Sequence, residues 1–309
     1  MIVRIGLSAA LVSVAVFAAE ASADCRRAPE LEAFPELVEP AAAGPTETDR
    51  TGRVVAPIRV NGAGPYRFII DTGANRSALS SRLAQRLGLT AGATGQVHSV
   101  YGASQAPMVD VRTLHYGELA LPSGQLPILS GPVLAGEHGL LGVDGMAGRR
   151  LTLDFQRRCI EIEPSRGAGR LRGWAEPPGE LRFRHLIVVP GRVNGVRVNV
   201  LIDTGSDTSL ANTALYRALD ARLRRDLGRR SRMATANETI LLEDAIFIRE
   251  LSLGQLQANN LPVYVGDFHV FALWEMIDRP TLLLGMDVIS KAHAMAVDYG
   301  RATVHFRLH

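Results

Sequence analysis

Phe68-Ile69-Ile70-Asp71-Thr72-Gly73-Ala74 and Val200-Leu201-Ile202-Asp203-Thr204-Gly205-Ser206 are one phrase written twice. Each is an apolar run of strand character that stops at an aspartate, followed by a glycine that lets the backbone turn tightly. Met singly, such a tripeptide is a strand ending in a turn, its aspartate capping nearby amides. Met twice, it offers a split pair of carboxyl groups, and two carboxyls brought together can share one proton, one member acting as acid and the other as base.

The duplication runs well past the tripeptide. Arg59-Val60-Asn61-Gly62 precedes the first aspartate and Arg192-Val193-Asn194-Gly195 the second. Asn-Gly between alternating apolar runs is the strongest short hairpin signal, so each half is predicted to open with a β-hairpin whose second strand delivers the aspartate. Helical patterns follow over 77–87 and 209–219. Leu140-Leu141-Gly142-Val143-Asp144 then returns as Leu283-Leu284-Gly285-Met286-Asp287, and each copy leads into a further hairpin, 153–162 and 297–306. The span from tripeptide to echo is 73 positions in the first half (71 to 144) and 84 in the second (203 to 287), so the second unit carries the longer intervening region. The expected fold class is all-β, mainly strands with short helices, one β-rich unit used twice and packed about a pseudo-two-fold axis. Equivalent positions near such an axis come face to face, which pairs Asp71 with Asp203.

On these residues the chain resembles the retropepsin-like aspartic peptidases, particularly bacterial exported ones, over roughly 52–163 and 181–309. The loop phrase and the apolar-apolar-Gly-x-Asp segment are present in both halves, and the resemblance implies two tandem retropepsin-like β-barrel halves. The resemblance implies that Asp71 and Asp203 are catalytic in hydrolysis of a peptide bond by direct attack of water, with no acyl-enzyme, no metal and no cofactor. It implies that Thr72 and Thr204 hydrogen-bond across the pseudo-dyad. Gly73 and Gly205 would bring backbone amides toward the carboxylates, and Ala74 and Ser206 would fill the small fourth position. Asp144 and Asp287 are expected to be structural, capping a short helix and bracing the loop below the pair. A flap turn is expected at Val100-Tyr101-Gly102-Ala103-Ser104, with Tyr101 either covering a bound peptide or serving as an ordinary loop tyrosine. Ala234-Thr235-Ala236-Asn237-Glu238 is the second-half counterpart but lacks a glycine, so one flap is expected to dominate. The expected partner is an extended peptide or protein substrate bound by strand addition. A binding or envelope-scaffold protein that kept the fold and lost turnover is the alternative, as is a chain inactive until it dimerises or sheds its N-terminal arm.

The remaining sequence sets the organisation. Arg4 followed by the apolar stretch 5–19 and Ala21-Ser22-Ala23 has the form of a secretory signal over 1–23, which implies export to the periplasm or beyond and no membrane span after cleavage. An extended arm is expected at 24–50, the first half at 51–163, a Gly/Pro-rich linker at 164–180 and the second half at 181–309, the whole a monomer with an internal pseudo-dimer. Cys25 and Cys159 are the two cysteines; in an exported chain they either close a disulfide or stay as unlinked thiols. The charge of +3 is nearly all arginine, with Lys291 the one lysine, and points to no nucleic-acid partner. The densest run, 222–232, has the pattern of a solvated helix end and loop. The histidines show no metal-binding spacing, and there is no Gly-x-Ser-x-Gly elbow.

Overall fold

The structure is a computed structural model that describes residues 42–130, 132–165, 173–177, 179–182, 186–219, 231–234, 239–242 and 245–308. The segment 1–41, the arginine-rich run up to 230 and the tip of the second expected flap at 235–238 lie outside the described residues.

Both predicted opening hairpins form. Val54–Val60 pairs with Ala63–Ile70, and Leu186–Val193 with Val196–Ile202. Asn61 and Gly62 have φ of 49° and 84°, and Asn194 and Gly195 have 48° and 85°. Two successive left-handed residues are what a turn matching the strand twist requires, and Asn-Gly adopts them at least cost. Each asparagine also does something its turn does not require. The Asn61 Oδ1 accepts from the backbone N–H groups of Arg112 and Thr113, and the Asn194 Oδ1 from those of Arg249 and Glu250.

The Leu-Leu-Gly echo becomes a strand laid parallel to the one that carries the aspartate. Gly139–Leu141 runs beside Ala63–Ile70 with Leu140 opposite Ile69, and Thr281–Leu284 beside Val196–Ile202 with Leu283 opposite Leu201. Because side chains alternate along each strand, one face feeds a large core shared by both halves, through Phe68 and Ile70 and through Val200 and Ile202. The other face feeds two smaller clusters, Val55, Ile69, Ala78 and Leu140 in one half and Val188, Leu201, Leu210 and Leu283 in the other. These are the same positions of the repeat, so the burial pattern is duplicated with the sequence.

The helices are shorter than their patterns predict. Ser81–Arg86 and Thr213–Ala218 are helical, while Ala78–Ser80 and Leu210–Ala211 are strands that pair with the echo strand. The short strands win because their neighbours offer a ladder to join, and each helix begins where a side chain can cap it. Ser80 accepts from the Leu83 N–H, and Asn212 from the Leu215 N–H.

What unites the halves is a shared sheet. The predicted C-terminal hairpins are Arg149–Asp154 with Cys159–Pro164 and Ala294–Asp298 with Thr303–Arg307. They pair with each other, Arg150 opposite Asp298 through Asp154 opposite Ala294. Ala42–Pro45, the end of the expected arm, adds a fifth strand against Cys159–Pro164. Cys159 is disulfide-bonded; the one other cysteine of the chain, Cys25, lies outside the described residues. Among the described residues, no helix is long and apolar enough to cross a membrane.

Candidate active site

Each aspartate is delivered by a strand end pinned on both sides. The Asp71 N–H donates to the Leu141 carbonyl at 3.0 Å and the Asp203 N–H to the Leu284 carbonyl at 3.0 Å. The echo strand thus fixes where each loop leaves the sheet. After the turn, the Gly73 N–H returns to the Asp71 Oδ1 at 3.0 Å and the Gly205 N–H to the Asp203 Oδ1 at 2.8 Å.

The two loops are then interleaved. The Thr72 hydroxyl donates to the Ile202 carbonyl at 2.8 Å and accepts from the Thr204 N–H at 3.1 Å. In the reverse direction, the Thr204 hydroxyl donates to the Ile70 carbonyl at 2.7 Å and accepts from the Thr72 N–H at 3.1 Å. Both threonines are buried, so these four bonds are made where water does not compete. The glycines complete the exchange. A methyl group at Gly73 would overlap the Asp203 carboxyl, and one at Gly205 would overlap the Asp71 carboxyl. Each aspartate therefore lies on the other loop's glycine, and no larger residue would let the two carboxyls meet.

Burial raises the pKa of both carboxyls. For Asp203 the negative charge of Asp71 adds to burial and lifts it well above the ordinary range. For Asp71, burial is opposed first by the Arg53 guanidinium and then by the Gly73 amide. Each carboxyl acts on the titration of the other, so the two titrate as a pair that holds one proton between its first and second ionisations.

Below the pair, a serine and an aspartate brace each loop. The Ser77 hydroxyl donates to the Asp144 Oδ1 at 2.7 Å and accepts from the Gly142 N–H at 3.0 Å. The Ser209 hydroxyl donates to the Asp287 Oδ1 at 2.7 Å and accepts from the Gly285 N–H at 3.0 Å. Asp144 and Asp287 thus brace the loops. The capping part of the expectation does not hold: Gly285 is the N-cap of Met286–Ile289, with Asp287 in its first turn, and no helix follows Asp144. The serines were legible in the sequence, since both stand six positions after the tripeptide aspartate, but their partners were not.

Above the pair lies a cavity of about 690 Å³ that both carboxyls line. Its walls are largely apolar, with Val97, Met108 and Leu129 on one side and Val270, Leu273 and Trp274 on the other. The expected first flap is the hairpin of Thr94–His98 and Ala103–Asp110. Tyr101 and Gly102 sit in its turn, where Tyr101 is 55% exposed and does not line the cavity. Val100 lines it instead, and its carbonyl accepts from the Val270 N–H at 3.4 Å. One step back, the His98 Nδ1 lies 2.9 Å from the His269 Nε2, with the rings stacked. The flap of the first half is thereby clasped to helix His269–Leu273 of the second. Of the second flap, Ser231–Ala234 and Thr239–Leu242 form an antiparallel pair.

Arg53 and Asp49 belong to one half only, so the repeat does not mark them. Arg53 is buried, donates to the Asp49 carboxylate through Nε at 2.8 Å and forms an ion pair with it through Nη2 at 2.7 Å. Among the described residues, no group of three or more His, Cys, Asp or Glu side chains could hold a metal ion.

Compared with known proteins, the chain matches the sequence model of a family described as aspartyl protease at residues 56–144 and again at 189–288. Each matched stretch begins within an opening strand and ends at the bracing aspartate or one residue past it. No curated protein matches the chain.

Proposed function

Because the chain belongs to the aspartyl protease family, we propose that it is an exported aspartic endopeptidase of the retropepsin-like kind. Asp71 and Asp203 form its catalytic pair, and both retropepsin-like units lie on one chain. The observation that carries this is the reciprocal exchange at the centre: each threonine is bonded to the other half's backbone, and each aspartate is packed on the other loop's glycine. That arrangement holds two carboxyls together at the cost of burying them, which a protein that merely binds peptide has no need to do.

A peptide lying extended between the flap and the pair would present its scissile carbonyl to them. The ionised carboxylate takes a proton from a water held between the two as the water oxygen bonds to the carbonyl carbon. The protonated carboxyl gives its hydrogen to the carbonyl oxygen, so that no free oxyanion forms in the buried cleft. Breakdown of the tetrahedral species returns a proton to the leaving amine. The apolar walls favour substrates with large apolar side chains beside the scissile bond.

The test is cleavage of a diverse peptide library between about pH 3 and 7, the range in which a carboxyl pair titrates. Asp71→Asn and Asp203→Asn are each expected to lower kcat by about 10²–10⁴-fold or more. A wild-type protein that retains peptides and cuts none would instead identify the silent binding protein.

A further inference from the structure

Arg53 breaks the equivalence of the two aspartates. In the first half Val55 lies opposite Ile69, and in the second Val188 lies opposite Leu201, each pair two residues before its aspartate. Position 53 therefore corresponds to position 186, and there the second half has a leucine. Leu186 is buried in the apolar cluster of Val188, Phe268 and Trp274, and brings no charge toward Asp203. Arg53 is buried as well, but it lines the cleft together with Asp71. Its Nη1 donates to the Val133 carbonyl at 2.8 Å and to the Gly205 carbonyl at 3.2 Å. Gly205 is the residue on which the Asp71 carboxyl rests, so the guanidinium is anchored one residue away from Asp71.

Other charged or titratable groups also face the pair, in which Asp203 approaches Asp71 from the opposite loop. From the turn after Ala294–Asp298 comes the buried Tyr299, whose phenol is held neutral by burial first and by the charge of Asp71 second. The cleft is also lined by Arg50, Arg76, His98 and Asp207, of which Arg50 and Arg76 are exposed to water and their charge screened accordingly. Asp49 is the counter-ion of Arg53, and it is held by the backbone N–H groups of Thr51 and Arg53 at 2.8 and 3.0 Å.

We propose that Arg53 is the positioning residue that orders the pair, keeping the negative charge on Asp71 and the shared proton on Asp203. The charge order itself is a property of the folded protein. Its consequence for catalysis rests on the peptidase function: Asp71 accepts the proton from water while its oxygen bonds to the carbonyl carbon, and Asp203 passes its proton to the carbonyl oxygen, so the pair exchanges roles with no net proton gained or lost.

The test is a carbon-13 NMR titration of aspartate carboxyls in the full-length protein, with Asp71 and Asp203 assigned by difference from Asp71→Asn and Asp203→Asn. In the wild type, Asp71 is expected to ionise at lower pH than Asp203. The double variant Asp49→Asn/Arg53→Leu, which removes both charges and reproduces the leucine of the second half, is expected to raise the Asp71 midpoint by about one pH unit. Asp49→Asn alone leaves the guanidinium without its counter-ion and is expected to lower that midpoint, whereas Arg53→Lys should leave it nearly unchanged. A merely structural Arg53 would not produce shifts of opposite sign. Asp203 ionising first, or an Asp71 midpoint unmoved by Asp49→Asn, would overturn the proposal, and that single variant decides it should the double variant not fold. Where turnover is measurable, the acid limb of the kcat/KM profile follows the same midpoints. A moved titration without any turnover would leave the charge order standing and remove the peptidase function.

Discussion

Thr72 and Thr204 show how much one hydroxyl can carry. Each donates to a carbonyl and accepts from an amide of the opposite half, in a place that excludes water. Deleting the Thr204 hydroxyl leaves the Ile70 carbonyl and the Thr72 amide unpaired, and an unsatisfied buried group costs about 1–3 kcal/mol. Thr204→Val is therefore expected to lower stability in urea unfolding by about 2 kcal/mol or more, while Thr204→Ser, which keeps the hydroxyl, should lose less than half as much. The aspartates act on stability in the opposite sense. Their pKa values are raised by burial, Asp203 the more because of the charge on Asp71. A group raised in the folded state contributes stability that is fully present below its unfolded pKa and is lost as pH rises through its folded value. At neutral pH the pair is thus a burden on the fold. Asp203→Asn should raise the melting temperature at pH 7, by about 2–4 °C for each 1 kcal/mol relieved, and the gain should vanish below about pH 3, where both carboxyls of the wild type are neutral. A variant no more stable than wild type at pH 7 would contradict this.

At the scale of the element, the flap and the helices show where local pattern stops deciding. The family resemblance puts the first flap turn at 100–104, about thirty positions after Asp71. Which of its residues faces the cleft was not local: Val100 turns inward because an apolar cluster of the second half receives it, and Tyr101 is left outside. Likewise 77–87 and 209–219 have a helical period throughout, yet Ala78–Ser80 and Leu210–Ala211 are strands, because an echo strand 60–73 positions later offers them backbone partners. The clasp between His98 and His269 follows from the same packing. His98→Ala removes a contact that only the closed flap makes, so amide hydrogen exchange over 94–110 is expected to quicken several-fold, with exchange in the inter-half sheet unchanged. Equal exchange in variant and wild type would show that the flap is held by Val100 alone.

On the scale of the molecule, the two halves are one cooperative body. They share a core and a five-stranded sheet in which hairpins of opposite halves pair edge to edge. A chain ending at residue 165 would expose the edge Arg149–Asp154 and half of the shared core, and exposed edges of this kind associate. The intact protein is expected to unfold thermally in a single transition by both calorimetry and circular dichroism, and the first half alone to be aggregated or unfolded. Two resolved transitions would show the halves to be independent.

The unit and its duplication are written in the order of residues. Apolar alternation marks the strands, Asn-Gly the turns and the tripeptide the loop, because burial and turn chemistry are written within a few residues of where they act. The duplication also paired Asp71 with Asp203, since a repeated unit brings like positions together. What crosses from one half to the other was settled only by tertiary packing: the carbonyl partners of the two threonines, the shared sheet, the flap clasp and the contact of Arg53 with Gly205. Those contacts join residues scores of positions apart, and no local pattern records them. The repeat in fact conceals the last of them, for it presents Asp71 and Asp203 as equivalents, and the physical difference between them is a guanidinium where the other half has a leucine.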